Sequence, residues 1–321
     1  MATDTQESSA GRDLQATATK SQPMARYLAE HWVLYLFVLP TVLYFVVFHY
    51  WPMYGAVIAF KNFTPIKGIL GSPWAGFAHF ERFFNSYFFE LLIRNTILIS
   101  VYVLVAAFPV PIAFALMVNQ VEYPLLRKTL QTASYVPYFI SMVVFIGMIF
   151  LFLSPTNGVV NRLIVFLGGG ATDFMGSAAW FRHVYVGTEI WKETGFAAII
   201  YLAVLSTINP ELHEAAIVDG ATKLQRIIHI DIPGIVPTAV VLLILRVGRL
   251  MDIGFQKAFL MQTELNMDAS EIIPTYVYKQ GLIGAQFSFS AAVGLFNAVI
   301  NLALILLVNQ ISKRVTGNSL W

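Results

Sequence analysis

The chain is built from long apolar runs separated by short polar interruptions, and the runs set the elements. Six of them, roughly 32–48, 96–118, 135–153, 183–205, 238–255 and 287–308, are long enough to cross a bilayer as helices, which takes about 20 residues. Trp32 and Trp51 bracket the first, about 28 Å apart along a helix, matching the aromatic belts at membrane interfaces. Pro40 predicts a kink in that run, and Pro109 and Pro111 predict a break or bend in the second, because proline removes a helix hydrogen bond. The fourth run has a polar outer end carrying Thr188, Glu189, Lys192 and Glu193. The fifth and sixth runs also carry polar residues at helical spacing.

The longest interruption in the second half is 209–237, NPELHEAAIVDGATKLQRIIHIDIPGIVP. Both of its ends are tied to apolar runs. Asn209 is a good N-cap and Pro210 suits the first helical position. Glu211 and Glu214 lie where the helix dipole favours negative charge. Gly220 can supply the left-handed residue that ends the helix. Leu212, Ala215, Ala216 and Asp219 share one face, and the alanines let a partner come close. A second short helix is expected over about 223–230, with Pro233 and Pro237 leading into the fifth run. The pattern predicts a shaped protrusion between two spans.

Composition narrows the class. The 321 residues are 57% hydrophobic and 12% charged, with mean hydropathy +0.68, against about 25% charged in soluble domains. The predicted fold is therefore all-α and polytopic, with six transmembrane helices. Residues 1–28 are polar and lack a signal-peptide pattern, so they are expected to form a disordered cytoplasmic tail. Residues 29–94 would hold the first span and a long outer loop, 95–310 the five-span core, and 311–321 a second tail. Six spans put both termini on one side. Arg127, Lys128, Lys223, Arg226, Lys313 and Arg314 mark that side, with 209–237, as cytoplasmic by a modest positive-inside bias. The aromatic loop 49–94 is open to three roles: a cap, a docking point for an extracellular partner, or a packed interfacial loop.

Several chemistries are excluded. A net charge of +2 supports no nucleic-acid partner. The absence of cysteine removes disulfides and thiolate sites. No G-x-x-x-x-G-K-[ST] is present, and the six histidines form no metal-binding pair. No catalytic residue, metal ligand or cofactor is expected in the chain.

Glu214-Ala215-Ala216, three residues, Gly220, nine residues, then Ile230-x-Ile232-Pro233 resembles the EAA loop of ABC-importer permeases, with Ile232 where leucine is usual. Ile190-Trp191-Lys192-x-x-Gly195-Phe196, Arg94-Asn95-Thr96, Phe108-Pro109-x-Pro111 and Gln131-Thr132-x-Ser134-Tyr135-x-Pro137 are similar to the carbohydrate-uptake branch, as is the ending Ser319-Leu320-Trp321. The resemblance covers about 25–321. It implies a non-enzymatic permease subunit in the inner membrane of a bacterium that moves an oligo- or polysaccharide, an acidic one such as alginate included, by alternating access. It also implies three partners: a second, non-identical permease, a cytoplasmic ATPase dimer that binds the ATP and Mg²⁺, and an extracellular or periplasmic solute-binding protein. Glu214, Ala215, Asp219 and Gly220 would form the contact with the ATPase.

Candidate substrate contacts come from polar residues inside the apolar runs. Arg246, Arg249, Asp252 and Gln256 fall within about a 120° arc at helical spacing, and Arg249 and Asp252 can pair at i, i+3. Charges inside a span face a protein interior or an aqueous cavity, so the arc is either a translocation pathway or an ion network at the second permease. Ser290, Gly294, Asn297 and Asn301 form a small polar stripe, suited to sugar hydroxyls or to helix packing. Tyr135, Trp191 and Tyr201 are candidate stacking platforms for sugar rings or packing residues. The rival classes are an ion-coupled secondary transporter, which tends to carry more spans and inverted repeats, and a membrane enzyme, for which only Glu189 and Glu193 approach a carboxylate pair.

Overall fold

In the computed structural model, residues 31–316 are described. The expected tail over 1–28 and the Ser319-Leu320-Trp321 ending lie outside the described residues. The described chain is α-helical, and its one extended pairing is the isolated bridge between Lys61 and Trp74. Four helices, Trp32–Phe60, Phe88–Asn119, Lys223–Val247 and Phe287–Arg314, are long and apolar enough to cross a membrane. Two further candidate spans are helix pairs joined across a sharp bend, Pro124–Phe139 with Met142–Leu153 and Ala178–Ser206 with Pro210–Val218, and of these Ala178–Ser206 is itself 29 residues long.

The chain divides into two units, Met1–Gly55 and Ala56–Trp321. In the first, helix α1 runs Trp32–Phe45 and continues through a π turn at Val46–Tyr50 into Trp51–Met53. Pro40 lies inside it.

The second unit is organised around α5. Its main helices are α2 (Phe88–Asn119), α3 (Pro124–Phe139), α4 (Met142–Leu153), α5 (Ala178–Ser206), α6 (Pro210–Val218), α7 (Lys223–Val247) and α8 (Phe287–Thr316). Helix α5 packs along α2, α3 and α7. An apolar cluster of Ala115, Val118, Ala198, Tyr201, Leu205 and Ile235 fills the angle between α2, α5 and α7. A second cluster joins Phe83 and Leu92 to Met251, Ile273 and Phe289.

The proline break expected in the second run falls at a single residue, and three other boundaries differ from the sequence expectation. The prolines of the second run interrupt the helix only at Phe108; Pro109 opens a new helical section, where its missing N–H costs nothing. The third run is two helices, α3 and α4, bent by 102°. Ile140 is extended there, and the Ser141 side chain accepts from the Val144 N–H at the start of α4. The expected short helix over 223–230 is the first part of α7. A capping box between Thr222 and Gln225 starts it, and a π turn at Ile227–Asp231 carries it on through Pro233 and Pro237. The fifth run stops at Val247, because the turn that follows is held from outside. Ser100 donates to the Leu250 carbonyl, and Asn301 accepts from the Met251 N–H at 3.0 Å.

Two of the sequence motifs acquire structural jobs. Asn95 is fully buried and donates to the carbonyls of Asp268 (2.8 Å) and Glu271 (3.1 Å), and Thr96 accepts from the Ile273 N–H (3.1 Å). Arg94-Asn95-Thr96 therefore pins the folded segment between α7 and α8 onto α2. At Gly195 a Cβ would stand 2.1 Å from the Ser134 carbonyl oxygen, so glycine is what lets α3 lie directly on α5.

Candidate functional site

Two features concentrate exposed chemistry: helix α6 and a charged cavity beside α5. The caps of α6 are those its sequence specifies. Asn209 is extended (φ −60°, ψ 120°), and its side chain accepts from the Glu211 N–H at 3.1 Å. At the other end Gly220 has φ +78°. The Gly220 N–H donates to the Ile217 carbonyl (3.0 Å) and the Ala221 N–H to the Ala216 carbonyl (2.8 Å), the paired bonds of a Schellman motif. Nine residues with both ends satisfied form a rigid unit, set at 70° to α5.

Glu214, Ala215, Asp219 and Gly220 are all exposed, as are Leu212, Ile217 and Val218, the last at 88%. A short helix presenting apolar side chains around an unpaired carboxylate suits a groove on another protein. Beneath it, the Lys223 ammonium lies 2.7 Å from Glu122. That hydrogen bond and charge hold the Glu122 carboxyl below its ordinary pKa. Both side chains are largely exposed, so the pair adds little stability.

The cavity has a volume of about 420 Å³ and is lined by Ser100, Tyr185, Glu189, Arg246, Arg249 and Asp252, with apolar side chains of α2 and α7. Arg246 ends α7, whereas Arg249 and Asp252 belong to the turn after it. The helical arc therefore does not extend past Val247. The turn nevertheless returns all three side chains to one space, while the exposed Gln256 lies outside the lining. The i, i+3 pairing is not made: no ion pair joins Arg249 to Asp252 among the described residues. Both remain available to a ligand. Glu189 is engaged differently, with Oε2 2.8 Å from the ammonium of Lys257, which is only 1% exposed.

The other candidates lie elsewhere. Trp191 and Glu189 sit on nearly opposite faces of α5 at 100° per residue. Trp191 lines a separate apolar cavity of about 360 Å³ with Trp180 and His183. Tyr135 is half-buried on α3 and Tyr201 is buried in the apolar cluster between α2, α5 and α7. Asn301 is committed to the Met251 backbone. Asn297 is half-buried, its Oδ1 has no hydrogen-bond partner, and it is outside the charged cavity's lining. Ser290 and Gly294 line an apolar groove of about 490 Å³.

Glu189 was visible in the sequence as a charge within an apolar run. Lys257 was not, because nothing local marks a lysine in an expected loop as fully buried.

Residues 107–317 match the family described as binding-protein-dependent transport system inner membrane components. The chain is 43% identical over 287 residues to the polygalacturonan/rhamnogalacturonan transport system permease protein YteP of Bacillus subtilis (strain 168), covering 89% of each chain. It is 26% identical over 287 residues to the arabinooligosaccharides transport system permease protein AraP of the same strain, covering 88% of each. It superposes with a TM-score of 0.86 on a chain from the crystal structure of a bacterial ABC transporter involved in the import of the acidic polysaccharide alginate, at 41% identity, over 92% of this chain and 100% of that one. A second crystal structure, of the bacterial alginate ABC transporter with an alginate pentasaccharide-bound periplasmic protein, superposes equally well at 39% identity. The chain belongs to the family of inner membrane components of binding-protein-dependent transport systems, and it is a membrane-spanning permease subunit of an ABC transporter.

Proposed function

We propose that the chain is one of two non-identical permeases in an ATP-driven importer of an acidic oligo- or polysaccharide. In this reading a solute-binding protein delivers the glycan, and the two subunits of a cytoplasmic ATPase bind ATP and Mg²⁺. The permease performs no covalent chemistry. The bent pair α3–α4 and helix α5 complete six spans, with the termini and α6 in the cytoplasm. The observation that carries the coupling role is the doubly capped, exposed helix α6, seated between two spans and bearing Glu214, Ala215, Asp219 and Gly220. Closure of the ATPase dimer moves this helix, and the spans switch the cavity between the two sides of the membrane.

Two variants test that role in vesicles. Gly220→Pro replaces a positive φ with one fixed near −65° and removes a bonded N–H, so it should disorder the cap at a cost of about 3 kcal/mol or more. Glu214→Ala removes the exposed carboxylate but keeps the helix. ATP hydrolysis stimulated by the loaded binding protein should be lost in the first and strongly reduced in the second. Full stimulation in both would remove the coupling role.

The acidic substrate rests on Arg246 and Arg249 facing one cavity, since guanidinium forks suit carboxylates bidentately. It is supported by the likeness to permeases for uronate-containing polysaccharides. Arg246→Gln and Arg249→Gln are each expected to lower uptake of trigalacturonate by about tenfold, for one lost charge-assisted contact of 1.5–3 kcal/mol, with little change for neutral trisaccharides. Equal uptake of both sugars by wild type and variants would return the arginines to a structural network. An ion-coupled carrier is favoured by no feature of the site; uptake that persists without ion gradients and stops without ATP separates the two.

A further inference from the structure

Helix α6 is held to the rest of the fold by a buried carboxylate. Asp231 has no exposed surface. Its Oδ1 lies 3.3 Å from His213 Nε2, on α6, and its Oδ2 accepts a hydrogen bond from Gln120 Nε2 at 3.2 Å, just past the end of α2. A carboxylate is costly to bury without partners, so these two contacts define where it can sit. The His213 contact is a close polar approach without hydrogen-bond alignment, since Oδ1 has no hydrogen-bond partner.

The local backbone is built around the same residue. Asp231 closes the π turn Ile227–Asp231, with the Ile232 N–H bonded to the Ile227 carbonyl. A π turn inserts one residue into a helix and changes the direction in which the following side chains leave it. Without that insertion Asp231 would emerge at a different rotation. Arg226, at the start of the turn, is close enough for its charge to act on Asp231, so positive charge also flanks the carboxylate on α7. Nearby, Gly234 leaves space for Ile208, whose Cδ1 would lie 2.7 Å from a Cβ there. The segment leading into α6 thus rests directly on α7.

The same helix ends in the cavity. From Asp231 to Arg246 is about 22 Å of α7 at 1.5 Å per residue, and Arg246 lines the charged space. One rigid element therefore begins at the α6 contact and ends among the candidate glycan ligands.

We propose that Asp231 is a positioning residue: paired with His213 and Gln120, it locks α6 to α7, so that displacement of α6 is delivered to the arginines at the far end of α7. The proposal rests on the coupling role given above and goes beyond it by naming the link inside this chain. Loss of the link leaves α6 free to move with the ATPase without moving the pathway. ATP is then hydrolysed without transport.

The chain has no cysteine, so spin labels can be placed in it without background from its own residues, once any cysteines of the partner subunits are replaced by serine. In the full transporter reconstituted in proteoliposomes, Glu211→Cys and Val236→Cys report the distance from α6 to the near half of α7. The wild-type background should give one narrow distance that is kept with and without ATP. Asp231→Leu and His213→Ala should broaden it, and transport of trigalacturonate per ATP hydrolysed should fall by on the order of tenfold, within the usual range of coupling between sites. His213→Gln keeps a donor and should restore most of the ratio. His213 is partly exposed, so its variants remain informative if Asp231→Leu fails to fold. An unbroadened distance with an unchanged ratio in His213→Ala overturns the link while leaving the coupling role intact. An ATPase that leaves the Glu211→Cys label as mobile as before overturns the coupling role and the link together.

Discussion

Lys192→Met is expected to be among the single changes that cost the helix bundle most stability. Lys192 is 5% exposed, and its ammonium donates to the carbonyls of Pro137 (3.0 Å), Tyr138 (3.0 Å) and Ile140 (2.6 Å). These are carbonyls at the end of α3, which a helix leaves without intrahelical partners. Here the chain turns by 102° instead of continuing; the Ile140 N–H donates to the Pro137 carbonyl at 3.3 Å, and Lys192 supplies donors to the carbonyls that follow. The ring of Phe145 lies 5.1 Å from the ammonium and adds a cation–π contact. Methionine has a similar length but no donor. Hydrogen bonds from charged groups contribute about 1.5–3 kcal/mol each, and partial relaxation of the bend leaves a net loss of about 3–5 kcal/mol. The melting temperature in detergent should fall on the order of 10 °C. Lys192→Arg should rescue it only in part, because a planar guanidinium cannot spread three donors from one nitrogen to three carbonyls as an ammonium does. A melting temperature within a few degrees of wild type for Lys192→Met would show that the bend is held by packing alone.

Glu189→Gln is the second change with a large expected effect, and here the sign of the double variant matters. The Lys257 ammonium is 2.8 Å from Glu189 Oε2, 2.8 Å from the Tyr185 carbonyl and 4.3 Å above the Tyr185 ring. With Lys257 1% exposed, no water is available to take over if the carboxylate is neutralised. Breaking a buried pair by removing one partner costs about 3–5 kcal/mol, whereas replacing both charges by neutral groups of similar size is often nearly free. Glu189→Gln alone should therefore lower thermal stability sharply. Glu189→Gln with Lys257→Met should recover most of it, giving a coupling energy well above the usual error of additivity. Simple additivity of the two losses would mean that the ammonium is held chiefly by the Tyr185 backbone and ring.

Helix α6 was legible residue by residue because everything that makes it is local. Asn209, Pro210 and Gly220 act on backbone groups within five residues of themselves, and a cap satisfied locally needs no tertiary partner. The all-α class was equally legible, since hydropathy over about 20 residues reports the solvent of a segment. The cavity was only half legible. Charge inside an apolar run marked Arg246 and Glu189, but extending helical geometry to Asp252 failed where Ser100 and Asn301 hold the chain out of the helix. Trp191 and Glu189, two residues apart, were not separable without knowing which neighbours α5 has on each side.

By itself, then, the sequence determined the apolar segments, the capped helix between two of them, and the charges that had to find an interior. Only the tertiary structure decided where those segments bend and what the charges meet. The 102° turn needs an ammonium from Lys192, more than fifty residues away in the chain. The end of α7 needs a hydroxyl from α2 and an amide from α8. The seating of α6 needs a carboxylate that arrives on the next helix through a π turn. Each of these is a hydrogen bond or ion pair between residues far apart in sequence. Their energies depend on burial and mutual geometry, and neither exists until the chain has folded.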